Sequence, residues 1–245
     1  MTRDALSRAE RALWACALLA AVGASAVLVL GDGDVPWLIR TGEEIVRRGA
    51  LPRDDPFAYT PRTVPLHHEY LTEVLLYGLY RAGGVLALTA AQCLLLVAFV
   101  LAAAQAPTPE GRARPFGGAS ALALAAGAML LRELLTLRAQ SLSDVLTTLV
   151  FVAVLRDHAG DARALPATLP LGLVWAQLHG GNPHHTVLLG LGWLAAPTRR
   201  RFGYTVAAAA LTCASPNGPR VHAHYLHGTP SLHLIKEWQP LHRVL

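Results

Sequence analysis

The sequence predicts an all-α fold, a polytopic membrane helical bundle built as a single membrane domain over residues 1–245, and three observations predict it. Hydrophobic residues make up 53% of the chain and charged residues only 15%, a balance that soluble domains rarely show. The apolar residues come in blocks that match or approach the roughly 20 helical residues needed to cross a hydrocarbon core of about 30 Å. The basic residues, nearly all arginine, cluster between alternate blocks at Arg3/Arg8/Arg11, Arg112/Arg114, Arg156/Arg163 and Arg199/Arg200/Arg201, which is the signature of cytoplasmic segments. Placing those four clusters inside requires seven spans: 11–30, 84–104, 115–131, 139–155, 165–179, 184–198 and 203–214.

The first block begins like a secretory signal, with arginines before an apolar run and "ASA" at 24–26. The apolar residues continue through Leu30, so an uncleaved first span is expected. Residues 31–83 then form a long extracytoplasmic loop. Asp34, with Pro36 just after it, is a helix start, and Gly49 is a helix stop. The surface helix expected over 35–48 has Leu38, Ile39, Ile45 and Val46 on its apolar side. "LPRDDPFAYTPRTVP" (51–65) is proline-punctuated and reads as an extended link, with Asp54 and Asp55 as a turn. A second surface helix is expected over 67–82, with Tyr70, Leu71, Val74, Leu75 and Tyr77 on its apolar side, Glu69, Glu73 and Arg81 elsewhere, and Gly83-Gly84 as its stop. It is expected to lie along the outer leaflet.

The later blocks alternate across the membrane. Their cytoplasmic turns are short, whereas the outer ones carry most of the polar sequence: "RELLTLRAQS" (132–141), "HGGNPHH" (179–185) and the segment after Ser215. Any chemistry is therefore expected on the extracytoplasmic face. The three cysteines lie inside apolar blocks with no regular spacing, and indicate neither a disulfide framework nor a zinc site. The formal net charge of +5 forms no basic stripe interleaved with aromatics, so no nucleic-acid partner is expected. The eleven histidines, including His179 and His184/His185, fit no standard zinc spacing, and no metal ligand is assigned.

The outer loop carries "DGDVPWLIRTG" (Asp32 to Gly42), "GALPRDDPFAYT" (Gly49 to Thr60) and "HEYLTEVLLYGLY" (His68 to Tyr80), and later segments carry "RAQS", "WAQLHGG", "SPNG" and "EWQP". Over residues 31–84, and more faintly afterwards, these stretches resemble a bacterial group of GT-C-like integral membrane glycosyltransferases, whose members read D-x-D-x-W-W-H-L-x-x-G, then G-x-x-P-x-x-D-P-F-S-Y-T, then H-E-W-L. Two departures stand out. Leu38 replaces the histidine and Pro36 the first tryptophan, and such proteins generally continue for several more spans, so either a fragment or a shortened, inactive relative is expected.

The resemblance implies a polyprenyl-phosphate-dependent enzyme of the bacterial cytoplasmic (inner) membrane, multi-pass, moving a hexosyl or pentosyl group to an unknown acceptor on the outer face. Its partners would be membrane lipid and a lipid-linked sugar donor. Such a transfer needs a base for the acceptor hydroxyl and cations for the phosphate. Asp34, at the exit of the first span, is the first candidate base and Asp32 the second, although an aspartate at a helix start also serves as an N-cap without chemistry. Arg138, Arg220 and Lys236 are candidate phosphate cations or headgroup contacts, and Glu69 and His179 complete the expected substrate-binding set. No cofactor is expected beyond a divalent metal ion, which some GT-C-like enzymes use. The alternative is a non-catalytic or truncated membrane protein. A transporter fits least, because the spans carry almost no ionisable groups away from their ends.

Overall fold

The computed structural model describes residues 33–53, 67–103, 105–107 and 136–220, together with Phe57 and five isolated helical positions between 12 and 23. Asp32, Lys236, the 115–131 block, most of 11–30 and the Asp54-Asp55 turn lie outside the described residues. Among the described residues the protein is all-helical: α1 Asp34–Arg48, α2 Tyr70–Ala103, α3 Ala139–His158, α4 Thr168–Leu178, α5 Pro183–Ala195 and α6 Arg199–Leu211. Two of these, α2 and α3, are long and apolar enough to cross a bilayer, while α4 is apolar but short.

α1 ends where glycine permits it. Gly49 takes φ 63° and its N–H bonds the Ile45 carbonyl at 2.9 Å, a left-handed C-terminal cap that side chains with a Cβ resist. The start differs from the sequence expectation. Gly33 holds the cap position without a side-chain cap hydrogen bond, and Asp34 is the first helical residue, so Asp34 is not the N-cap. The buried face is Val35, Leu38, Ile39, Thr41, Gly42 and Ile45, and Val46, expected on that face, is exposed. At Gly42 a Cβ would collide with the Glu73 carbonyl. Backbone meets backbone here, which is why α1 can lie so closely along α2.

α2 is two helices joined at a kink. Gly83 and Gly84 leave helical geometry, Gly84 at φ 57°, so the glycine pair stops the first helix as its sequence predicts. The part before the kink does not bury the expected face. Thr72, Glu73 and Leu76 are buried while Leu75 and Tyr80 are exposed. Amphipathic reading sends carboxylates outward, but here α1 covers the Glu73 side of the helix. Beyond the kink, residues 85–103 expose Leu86, Leu94 and Leu101. Rows of exposed large apolar side chains suit lipid better than water.

The remaining helices run back and forth. Their site-side ends are tied by Gln177 Nε2 to the Ala214 carbonyl (2.8 Å) and Asn182 Nδ2 to the Thr212 carbonyl (3.1 Å). Their opposite ends are tied by Asp157, which takes hydrogen bonds from Arg200 and Arg201. Two cores result. Leu146, Val150, Val154, Leu165, Trp175, Leu178 and Leu189 fill the α3–α6 bundle, and Val35, Leu38, Ile39, Leu76, Leu88 and Leu137 seal α1 onto α2.

Candidate functional site

The site end of the bundle gathers polar side chains from four places in the sequence. His68 and Glu69 lie just before α2, Ser143 is in the first turns of α3, Trp175 is on α4, and His179 directly follows α4. Each is there for a local reason. "HGGN" cannot continue α4, because Gly180-Gly181 and Asn182 make the turn into α5, whose first residue is Pro183, a position that needs no N–H donor. His179 therefore stands at a helix end, with extended backbone, and its ring turns back over α3.

The His179 ring is fixed by two hydrogen-bonding neighbours, one of them braced by Trp175. Trp175 Nε1–H donates to Ser143 Oγ (2.7 Å), and Ser143 Oγ lies 2.7 Å from His179 Nδ1. The Gly181 backbone N–H donates to the same Nδ1 at 3.1 Å. A backbone N–H can only donate, so Nδ1 is the unprotonated nitrogen and Nε2 carries the ring proton. Burial, aided by His68, His184 and Arg138, pulls His179 down to about 3, which keeps it neutral at physiological pH.

Across from it sit the carboxylates. His68 Nε2 lies 3.8 Å from Glu69 Oε1, and the His68 and His179 ring centroids are 6.1 Å apart. One ligand atom from each of His68, Glu69 and His179 falls within 4.8 Å of the others. Glu69 is held toward its protonated form chiefly by burial, with the Asp34 charge adding to it and His68 opposing it. Glu73, one helical turn further, is 2% exposed. Its Oε2 is buried without a hydrogen bond, and burial together with Glu69 raises it to about 8. Helix position matters here: these groups precede the apolar 85–103 segment.

Of the site residues expected from sequence, Asp34, Glu69, His179 and Arg138 come together. Asp34 acts electrostatically on Glu69, and Arg138 acts on both His179 and Asp144. Arg138 precedes α3, its N–H bonding the Thr136 carbonyl at 2.8 Å. Arg220 is exposed at the end of a 215–220 turn, which docks beside the site through Asn217 Nδ2 and the His67 carbonyl (2.8 Å). Leu38, standing where the GT-C-like pattern has histidine, is 2% exposed and packs in the α1–α2 core. Sequence reasoning missed His68, Ser143 and Trp175 as site residues. The signal was present in "HEYL" and "WAQLHGG", but only the fold brings residue 68 to residue 179.

Comparison of the chain with protein families, curated proteins and solved structures finds no match. The functional reading therefore stands on the site itself and on the motifs that build it.

Proposed function

We propose that this chain is a GT-C-like membrane glycosyltransferase module, multi-pass in a bacterial cytoplasmic membrane, that moves a sugar from a polyprenyl-phosphate donor to an acceptor on the extracytoplasmic face. The observation that carries the reading is the convergence of Asp34, Glu69 and His179, from three separate stretches of the resemblance, at one end of an apolar bundle. Carboxylates in unlike surroundings divide acid and base work between them. Glu69, pushed toward its protonated form by burial and by Asp34, suits a hydrogen-bond donor, leaving Asp34 to take the acceptor hydroxyl proton. Arg138 supplies positive charge beside them for a lipid phosphate.

Asp34→Asn tests this. Asparagine serves a helix start about as well as aspartate, so the substitution should leave helicity and thermal stability nearly unchanged. Transfer from a polyprenyl-phosphate sugar in proteoliposomes should fall about 10²- to 10⁴-fold, the usual contribution of a general base. Full activity in the variant would remove Asp34 from the chemistry. The burial of Leu38 in the core favours a second reading, a membrane protein without transferase activity. That reading wins if the unsubstituted chain transfers no sugar from any such donor.

A further inference from the structure

We propose that His68, Glu69 and His179 form a binding site for a divalent transition-metal ion of the zinc class, with its remaining coordination positions open to oxygen ligands such as water or phosphate. Two imidazoles and one carboxylate are a mixed nitrogen and oxygen set, which suits zinc and its neighbours and not the all-oxygen preference of magnesium or calcium. The three ligand atoms already lie within 4.8 Å of one another. Closing them onto one ion needs a shift of about 1 Å, given metal–ligand distances near 2 Å. His68, with its side chain 39% exposed, has room to make that shift.

The surroundings supply what a ligating histidine needs behind it. Metal-bound imidazole donates its second N–H to a fixed acceptor, and His179 Nδ1 has Ser143 Oγ 2.7 Å away. In the metal-free chain Nε2 holds the ring proton. On binding, the ring proton is carried on Nδ1 and Ser143 Oγ accepts the Nδ1–H hydrogen bond, while a second Ser143 lone pair still takes the Trp175 Nε1–H. The Ser143 O–H and the Gly181 N–H both give up Nδ1 as their acceptor, a cost set against the new coordinate bonds. Trp175 is fully buried and Ser143 likewise, so the acceptor cannot drift.

Charge points the same way. Asp34, Glu69 and Glu73 act on one another at this end. His68 Nε2 lies 3.8 Å from Glu69 Oε1, and Glu73 keeps a buried oxygen without a hydrogen bond. A dication at the two histidines and Glu69 would bring positive charge to this acidic end of the bundle.

The test uses the full chain in detergent, without a polyhistidine tag, stripped by chelator and then titrated with Co²⁺ by visible absorption and with Zn²⁺ in competition against a chromophoric chelator. One equivalent per chain is expected, with Mg²⁺ failing to displace it. Ser143→Ala should weaken binding roughly 10- to 100-fold, and His68→Ala and His179→Ala by more, whereas His184→Ala should not. The His68 side chain is partly exposed, so His68→Ala should keep the helical circular-dichroism spectrum and remains informative even if His179→Ala misfolds. No stoichiometric binding, or binding unchanged in folded His68→Ala, would overturn the site. The readout is metal alone, so a chain that binds Zn²⁺ but transfers no sugar sinks the transferase reading and keeps this one.

Discussion

The two ends of the α3–α6 bundle treat charge in opposite ways. At one end Asp157, 2% exposed in its side chain, is held by both Arg200 and Arg201. The same arginines also cap loop carbonyls, Arg200 at Ala162 and Arg201 at Ala196, and His158 Nε2 lies 3.0 Å from the Gly192 carbonyl. Asp157, Arg200 and Arg201 are each paired with groups that fit their charge, and together they fasten three helix ends. At the other end Glu69 and Glu73 are pushed upward and His179 downward. Displaced titrations of this kind mark sites of chemistry more often than sites of stability. A salt-bridge cluster satisfies its charges, whereas a functional cluster leaves them poised.

That contrast can be broken most sharply at Asp157. Asp157→Asn leaves two arginines facing a neutral amide, and breaking a buried pair costs about 3–5 kcal/mol. Because Arg200 is 41% exposed in its side chain, roughly 2–3 kcal/mol is expected here, read as a lower unfolding midpoint in detergent. The specific activity of the folded fraction should not change. A loss of activity larger than the loss of folded protein would show that the fastening end also serves the chemistry.

Gly42→Ala should behave differently. Its Cβ meets the backbone carbonyl of Glu73, which cannot move aside as a side chain would, so α1 must lift from α2 at about 1–3 kcal/mol. Since α1 begins with Asp34, stability and transfer should fall together. If stability falls alone, α1 is scaffold and the site does not depend on its seating.

A third test concerns pH. Glu73 has a folded value raised to about 8 from an ordinary 4.5. Below about 4.5 it is protonated both folded and unfolded, and its contribution is full. Between there and 8 only the folded chain keeps the proton, so stability declines as pH rises, with a slope of at most about 1.4 kcal/mol per pH unit. Above 8 the decline stops. Glu73→Gln should flatten that slope and raise stability at pH 7, measured as unfolding midpoints across pH 5–9. An unchanged slope would assign it to another group.

Much of the helix inventory is legible in the sequence, because its signals are local. The Pro36 start, the Gly49 stop and the Gly83-Gly84 break each act within a few residues. Burial was less legible. Val46 and Leu75 look like core residues and are exposed, while Glu73 looks like surface and is buried. Periodicity assigns a polar face outward, but it cannot know that α1 will cover that face or that an outward face meets lipid. The candidate site was half visible. Asp34, Glu69, Arg138 and His179 stand out as charged or polar groups at the ends of apolar blocks. Their contact with His68, Ser143 and Trp175 depends on chain segments more than thirty to a hundred residues apart, for which no local pattern exists.

The glycine break in α2 has a mechanical side. Residues 70–82 are pinned: Tyr70 Oη–H bonds Gln177 Oε1 at 2.7 Å, Thr72 Oγ1–H bonds the Leu178 carbonyl at 2.6 Å, and α1 lies along them. Residues 85–103 are apolar and more than half exposed at Leu86, Leu94 and Leu101, and in a bilayer the tilt of such a segment would answer to the bilayer's thickness. A continuous helix would carry every such tilt straight to Glu69 and Glu73. With Gly84 at φ 57°, the axis is already broken between them, so a tilt of residues 85–103 would not pass straight to the carboxylates.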